Sequence, residues 1–142
     1  MQTTRIFALL VVLQLAFLSG CTSTVPATVT MRPGYPLKPN ARIYLSASMQ
    51  WERIAQSLED AGLTPTDEFG NADYDLDVRV GRNRSNAACG GLSNVAYTLT
   101  RDSRRVMVIK GRGRTGICAP NVFDDLSRKL ASFASARFEQ KP

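Results

Sequence analysis

The chain contains no histidine, a single tryptophan and only three cysteines in 142 residues. Without an imidazole there is no Ser-His-Asp or Cys-His pair to generate a nucleophile, and no His-based metal centre. A thiolate site for zinc is equally poor, because Cys21, Cys89 and Cys118 form no Cys-x-x-Cys spacing. Neither a Gly-x-Ser-x-Gly elbow nor a phosphate-binding loop is present. These absences argue against an enzyme, and no cofactor is expected. No apolar run is long enough to span a bilayer, which takes about 20 helical residues.

The longest apolar run is the first thing present. Ile6 to Leu18 is apolar except for Gln14, and Arg5 gives the preceding residues a positive charge. Thirteen residues are too few to cross a membrane, and small residues follow, so 1–20 reads as a signal peptide. The next four residues are Leu18-Ser19-Gly20-Cys21. They resemble the lipobox of bacterial lipoproteins, and the resemblance covers only this leader. It implies that the chain is cut before Cys21, that the Cys21 sulfur takes a diacylglycerol, and that the new amino group is acylated, palmitate being an expected chain. Several acyl chains together give a stable anchor, where one alone binds reversibly. Thr22 and Ser23, rather than Asp, follow the cysteine. In a Gram-negative host the resemblance then implies sorting to the outer membrane, with the domain facing the periplasm.

Cleavage would leave 122 residues, which suits one domain. The stretch 21–40 holds Pro26, Pro33, Pro36 and Pro39 among Thr, Ser and Gly. Proline biases itself and the residue before it toward extended backbone, so the segment reads as a tether, or as an irregular segment along the domain edge. As a tether, 22–40 would reach at most about 60 Å.

Residues 41–142 carry the regular patterns. Arg42 to Ser46 suggests a strand. Trp51, Ile54, Ala55 and Leu58 recur at helical spacing within Met49 to Ala61, with Ser48 as cap and Gly62 as stop. Tyr74 to Val80 alternates apolar and polar at each step and is the clearest strand. Asn94 to Arg101 and Arg104 to Gly111 read as a hairpin turning at Asp102-Ser103. Asn121 can cap a last helix with an apolar stripe of Val122, Phe123, Leu126, Leu130, Phe133, Ala134 and Phe138. The expected fold is α+β: two helices on one face of a small, mostly antiparallel sheet. The layout resembles small periplasmic lipoprotein domains such as the penicillin-binding-protein activator LpoB, the curli secretion lipoprotein CsgG and the amino-terminal domain of TolB.

Pairing Arg101 with Arg104 sets Cys89 opposite Gly116 and near Cys118. In an oxidising compartment a Cys89–Cys118 disulfide would contribute roughly 3 kcal/mol to so small a domain. Charge is also segregated. Eight carboxylates and only Arg53 lie between Met49 and Asp77, whereas Arg79 to Cys118 holds nine basic residues and only Asp102. Arg82, Arg84, Arg112 and Arg114 flank the two cysteines among glycines, and are candidates for binding an anion or a partner. Asp73, Asp75 and Asp77 share one strand face about 7 Å apart, a poor cage for calcium.

Two functions from different classes follow. One is a non-enzymatic envelope lipoprotein that binds or assembles a periplasmic or outer-membrane protein complex. The other is a lipoprotein that holds an anionic group of peptidoglycan or lipopolysaccharide through the arginine cluster. An exported protein has little access to nucleic acid, despite the basic charge. Peptide mapping of protein extracted from membranes tests the covalent expectations together. The amino-terminal peptide should begin at Cys21 and carry acyl chains, and digestion without reductant should yield the Cys89 and Cys118 peptides linked.

Overall fold

The computed structural model describes residues 28–31, 37–46, 50–82, 91–118 and 121–135. Six strands form one sheet: β1 (Thr28–Met31), β2 (Arg42–Leu45), β3 (Thr64–Thr66), β4 (Tyr74–Val80), β5 (Leu92–Arg101) and β6 (Arg104–Arg114). Helix α1 (Trp51–Asp60) lies between β2 and β3, and α2 (Val122–Ser135) follows β6. The strand order is β1-β6-β5-β4-β2-β3. Pairings β1/β6, β6/β5 and β5/β4 are antiparallel, whereas β2 lies parallel to both β3 and β4. This is the expected α+β architecture with a mostly antiparallel sheet.

Alternation decides which face is covered. Ile43 and Leu45 from β2, Tyr74 and Leu76 from β4, Val95, Tyr97 and Leu99 from β5, and Met107 and Ile109 from β6 are all buried in one core. Both helices contribute to that core, α1 through Ile54, Ala55 and Leu58, and α2 through Val122, Phe123, Leu126, Leu130 and Ala134. The helices also meet each other, with the Ser57 hydroxyl donating to the Asp124 carboxylate at 2.8 Å. Phe133 packs at the margin, and Phe138 lies outside the described residues.

The helix ends follow local chemistry. After α1 the chain turns at Gly62, whose φ of +83° suits glycine. The Gly62 and Leu63 amides donate back to the Glu59 and Leu58 carbonyls, which closes the helix as a Schellman motif. Residue Gln50 takes the N-cap position without a side-chain bond, and Ser48 lies outside the described residues. For α2 the expected cap is present: the Asn121 side-chain oxygen accepts from the Phe123 amide at 2.8 Å.

Two strands depart from the sequence expectation. Thr28–Met31 falls inside the stretch read as tether, yet it pairs with β6 as an edge strand. Its Thr-Val-Thr alternation fits a half-covered edge, with Val29 packed against the core. Leu37 is buried as well, so the proline-rich stretch is tied to the domain well before residue 41. The other departure is β3, three residues with Pro65 at its centre, a composition that only an edge position tolerates.

The hairpin turns where expected. Asp102 and Ser103 both have positive φ, as a two-residue primed turn requires, and Arg101 pairs with Arg104. One residue then breaks the register. Thr100 pairs with Arg105 but Leu99 pairs with Met107, which leaves Val106 as a bulge. Every later pair through Leu92 and Arg114 is shifted by one from the register set at the turn, and the expected opposition of Cys89 and Gly116 falls outside the described residues.

The glycines of Gly111-Arg112-Gly113-Arg114 have a structural cause. A Cβ on Gly111 would come within 2.9 Å of Leu126 Cδ2, and one on Gly113 within 2.9 Å of Val122 Cβ. Both glycines therefore face α2, and their close approach is to a helix rather than to a ligand. Leu126 Cδ2 ends a side chain that can swing, whereas Val122 Cβ is fixed to the helix backbone. Gly113→Ala should accordingly lower the unfolding free energy by about 1–3 kcal/mol, and Gly111→Ala by less. Urea titration followed by circular dichroism checks both.

Candidate binding surface

Residues that alternate with the core positions point to the opposite face of the sheet, where no helix lies among the described residues. From the β1 edge inward this face presents Thr28 and Thr30, then Val108, Lys110, Arg112 and Arg114, then Asn94, Ala96, Thr98 and Thr100, then Asp75, Asp77 and Arg79. Its floor is made of small or β-branched residues, and long charged side chains rise around them. Two adjoining hollows result. One, of about 500 Å³, is bordered by Thr28, Arg79, Asn94, Ala96, Lys110 and Arg112. The other, of about 620 Å³, is bordered by Thr30, Asp77, Thr98, Arg105 and Val108, and shares Arg79, Ala96 and Lys110 with the first.

The four arginines singled out in the sequence fall into different settings. Arg112 and Arg114 lie on the open face of β6 and are exposed. Arg82 is exposed just beyond the end of β4, while Arg84 and Cys89 lie outside the described residues. Cys118 follows β6 after a short bend. Sequence reasoning missed Arg79, Arg105 and Lys110, which border the hollows. The signal was available in the alternation of Lys110, Arg112 and Arg114, which places them on one side of a single strand.

Asp73, just before β4, and Asp75 and Asp77 on it do different work at each position. Asp73 accepts from the Lys38 ammonium at 2.6 Å and from the Arg42 amide at 3.1 Å. Lys38 first, and then the Arg42 amide, hold its carboxyl below the usual carboxylate range. The Tyr74 hydroxyl accepts from the Lys38 amide at 3.1 Å, so both side chains fasten residues 38–42 to the start of β4. Asp75 is the reverse case. Its Oδ1 is buried without a hydrogen-bond partner among the described residues. Burial, and secondarily the charge of Asp77, push its carboxyl up. Asp77 pairs with Arg79 at 3.0 Å on an exposed part of the strand, a contact worth little by itself. At the core side, the Tyr97 hydroxyl lies 3.4 Å from the Ser127 hydroxyl, and burial pushes its pKa up.

No family model matches the chain, and no curated protein matches it in sequence. Solved structures do superpose on it. A variant of the PelC dodecamer from Paraburkholderia phytofirmans gives a TM-score of 0.49 at 18% identity, covering 79% of this chain and 99% of that one. The PelC dodecamer from the same organism in a second space group gives 0.43 at 13% identity, covering 82% and 100%. A minor lipoprotein from Acinetobacter baumannii gives 0.35 at 12% identity, covering 69% and 95%. Likeness at this level leaves the chemistry to be read from this chain's own residues.

Asp73 and Asp75 should respond to pH with opposite signs. The lowered pKa of Asp73 means that its contribution is present above the unfolded carboxylate value and is lost as pH falls through the folded one. Asp73→Asn should therefore cost about 1 kcal/mol at neutral pH, a loss that fades in acid. The raised pKa of Asp75 makes its ionised form a liability at neutral pH, so Asp75→Asn should raise the melting temperature there and lose this advantage in acid. Thermal melts of both variants from neutral to acidic pH check the pair of signs.

Proposed function

We propose that the chain is a lipid-anchored, non-enzymatic envelope protein that binds or helps assemble a periplasmic or outer-membrane protein complex, with the open sheet face as its recognition surface. The observation that carries this reading is the one-sided burial of the sheet. The open face offers two adjoining hollows with Ala96, Thr98 and Val108 at their floor and Asp77, Arg79, Arg105 and Lys110 around them. A mixed-charge rim around a small-residue floor suits a protein surface, since charges of both signs select a complementary partner and fix its register.

The lipobox-like Leu18 to Cys21 supports the anchor, and Thr22 and Ser23 after it support an outer-membrane setting. The Cys89–Cys118 disulfide belongs to the same reading. Cys118 lies four residues past the end of β6, and Cys89 lies outside the described residues. A second reading, an anionic cell-wall or lipopolysaccharide group held by Arg82, Arg84, Arg112 and Arg114, is favoured by the exposure of Arg82, Arg112 and Arg114.

Crosslinking in intact envelopes followed by affinity capture separates the two. A discrete protein captured by the wild type and lost with Thr98→Arg plus Val108→Asp, but kept with Lys129→Glu on the exposed side of α2, is the expected result. Capture of glycan or lipopolysaccharide instead, lost when the four arginines become Ser, would replace the first reading with the second.

A further inference from the structure

Three independent features meet at one end of the sheet. The first is where the chain enters. β1 runs antiparallel to β6, with Met31 opposite Met107 and Thr28 opposite Lys110, so the strand begins toward the Arg112–Arg114 end of β6. Six residues lie between Cys21 and Thr28, and the seven steps from one to the other have a contour of at most about 25 Å. With Thr28 held in the sheet, the domain has far less reach from its anchor than a free segment of 22–40 would give.

The second feature is exposed apolar surface. Leu92 is 56% exposed and Ile117 76%, at the start of β5 and just past the end of β6, and Val80 at the end of β4 is 40% exposed. The remaining large apolar side chain exposed among the described residues, Phe69, lies elsewhere and packs edge-on against Tyr44 at 5.3 Å between centroids. The third feature is charge. Arg82, Lys110, Arg112 and Arg114 are all exposed at or near this end. From Val78 to Cys118 the sole carboxylate is Asp102, which sits in the hairpin turn at the opposite end.

Exposed aliphatic side chains ringed by cations, placed within a short leash of a lipid, match an anionic bilayer surface. We infer that this end of the domain rests on the phosphate-bearing headgroups of the membrane that holds Cys21. Leu92 and Ile117 enter the interface, and Arg82, Arg112 and Arg114 contact phosphates. The inference rests on Cys21 being the lipidated residue. It sets an orientation: the strands stand up from the membrane, the Asp102–Ser103 turn lies about 30 Å out along β6, and the open face looks sideways along the surface.

The test uses the mature chain with Cys21→Ser, so that no acyl chain contributes, sedimented with phosphatidylcholine vesicles that contain or lack about one-third phosphatidylglycerol. The expected result is co-sedimentation with the anionic vesicles alone, released by high salt. At roughly fivefold per cation near the surface, Arg82→Ser, Arg112→Ser and Arg114→Ser together should weaken binding roughly a hundredfold, and Leu92→Ser with Ile117→Ser should weaken it independently. Matching melting curves show that the variants are folded. Wild-type protein left in the supernatant with anionic vesicles, a triple variant that binds as tightly as wild type, or burial of this end in a soluble oligomer would each overturn the inference. Peptide mass at Cys21 is a separate outcome. Acylation in cells without vesicle binding retires the docking end and keeps the anchor, whereas vesicle binding without acylation keeps the basic surface and removes the leash on which the membrane contact rests.

Discussion

Helix α2 lies so close to β6 that a Cβ on Gly113 would meet Val122 Cβ, and one on Gly111 would have to push aside the end of Leu126. The rest of the arrangement depends on this contact. It seats α2 over the long hairpin, so that Phe123, Leu126 and Leu130 fill the space above Tyr97 and Ile109. The seated helix then supplies Asp124 as acceptor for Ser57, which ties α1 beside it. With both helices on the glycine side, the intervening arginines are committed to the other side. The uncovered face is therefore a direct result of where the helices can approach, and its basic character follows from which residues alternate with the glycines.

Much of this frame was legible in the sequence. Tyr74 to Val80 reads as a strand from alternation alone, and its observed limits are the same. The two helices announce themselves through apolar spacing, and the Asp102-Ser103 turn through its two flanking β-rich runs. Short elements were hidden. Thr28–Met31 and Thr64–Thr66 have three or four residues each, carry little periodicity, and become strands because a neighbouring strand offers them hydrogen bonds. Parallel pairing of β2 with β3 and β4 is equally a tertiary outcome. It is imposed by α1 crossing over the sheet and by Asp73 and Tyr74 fastening the chain before β2.

The site was legible in composition more than in position. Segregation of carboxylates before residue 78 from cations after it is visible in the sequence, and the fold converts it into a sheet with one strongly basic end. The Gly-Arg-Gly-Arg run looked like one motif, yet its two residue types answer to different demands on opposite faces. Lys110 and Arg79 gain their importance only from neighbours on adjacent strands, Ala96 above all, whose small side chain leaves the hollow that they border. No pattern within a single strand carries that information.

The bulge at Val106 decides which way β6 faces. Side chains alternate, so the one extra residue reverses every position after it relative to the pairing set at the turn. With Leu99 opposite Val106 instead of Met107, Lys110, Arg112 and Arg114 would point into the core, and Gly111 and Gly113 would lie on the surface. The hairpin thus behaves like a reading frame with a period of two. Loss or gain of a single residue between the turn and Ile109, with no compensating bulge, would exchange the two faces of β6 beyond it, while a change of two residues would preserve them.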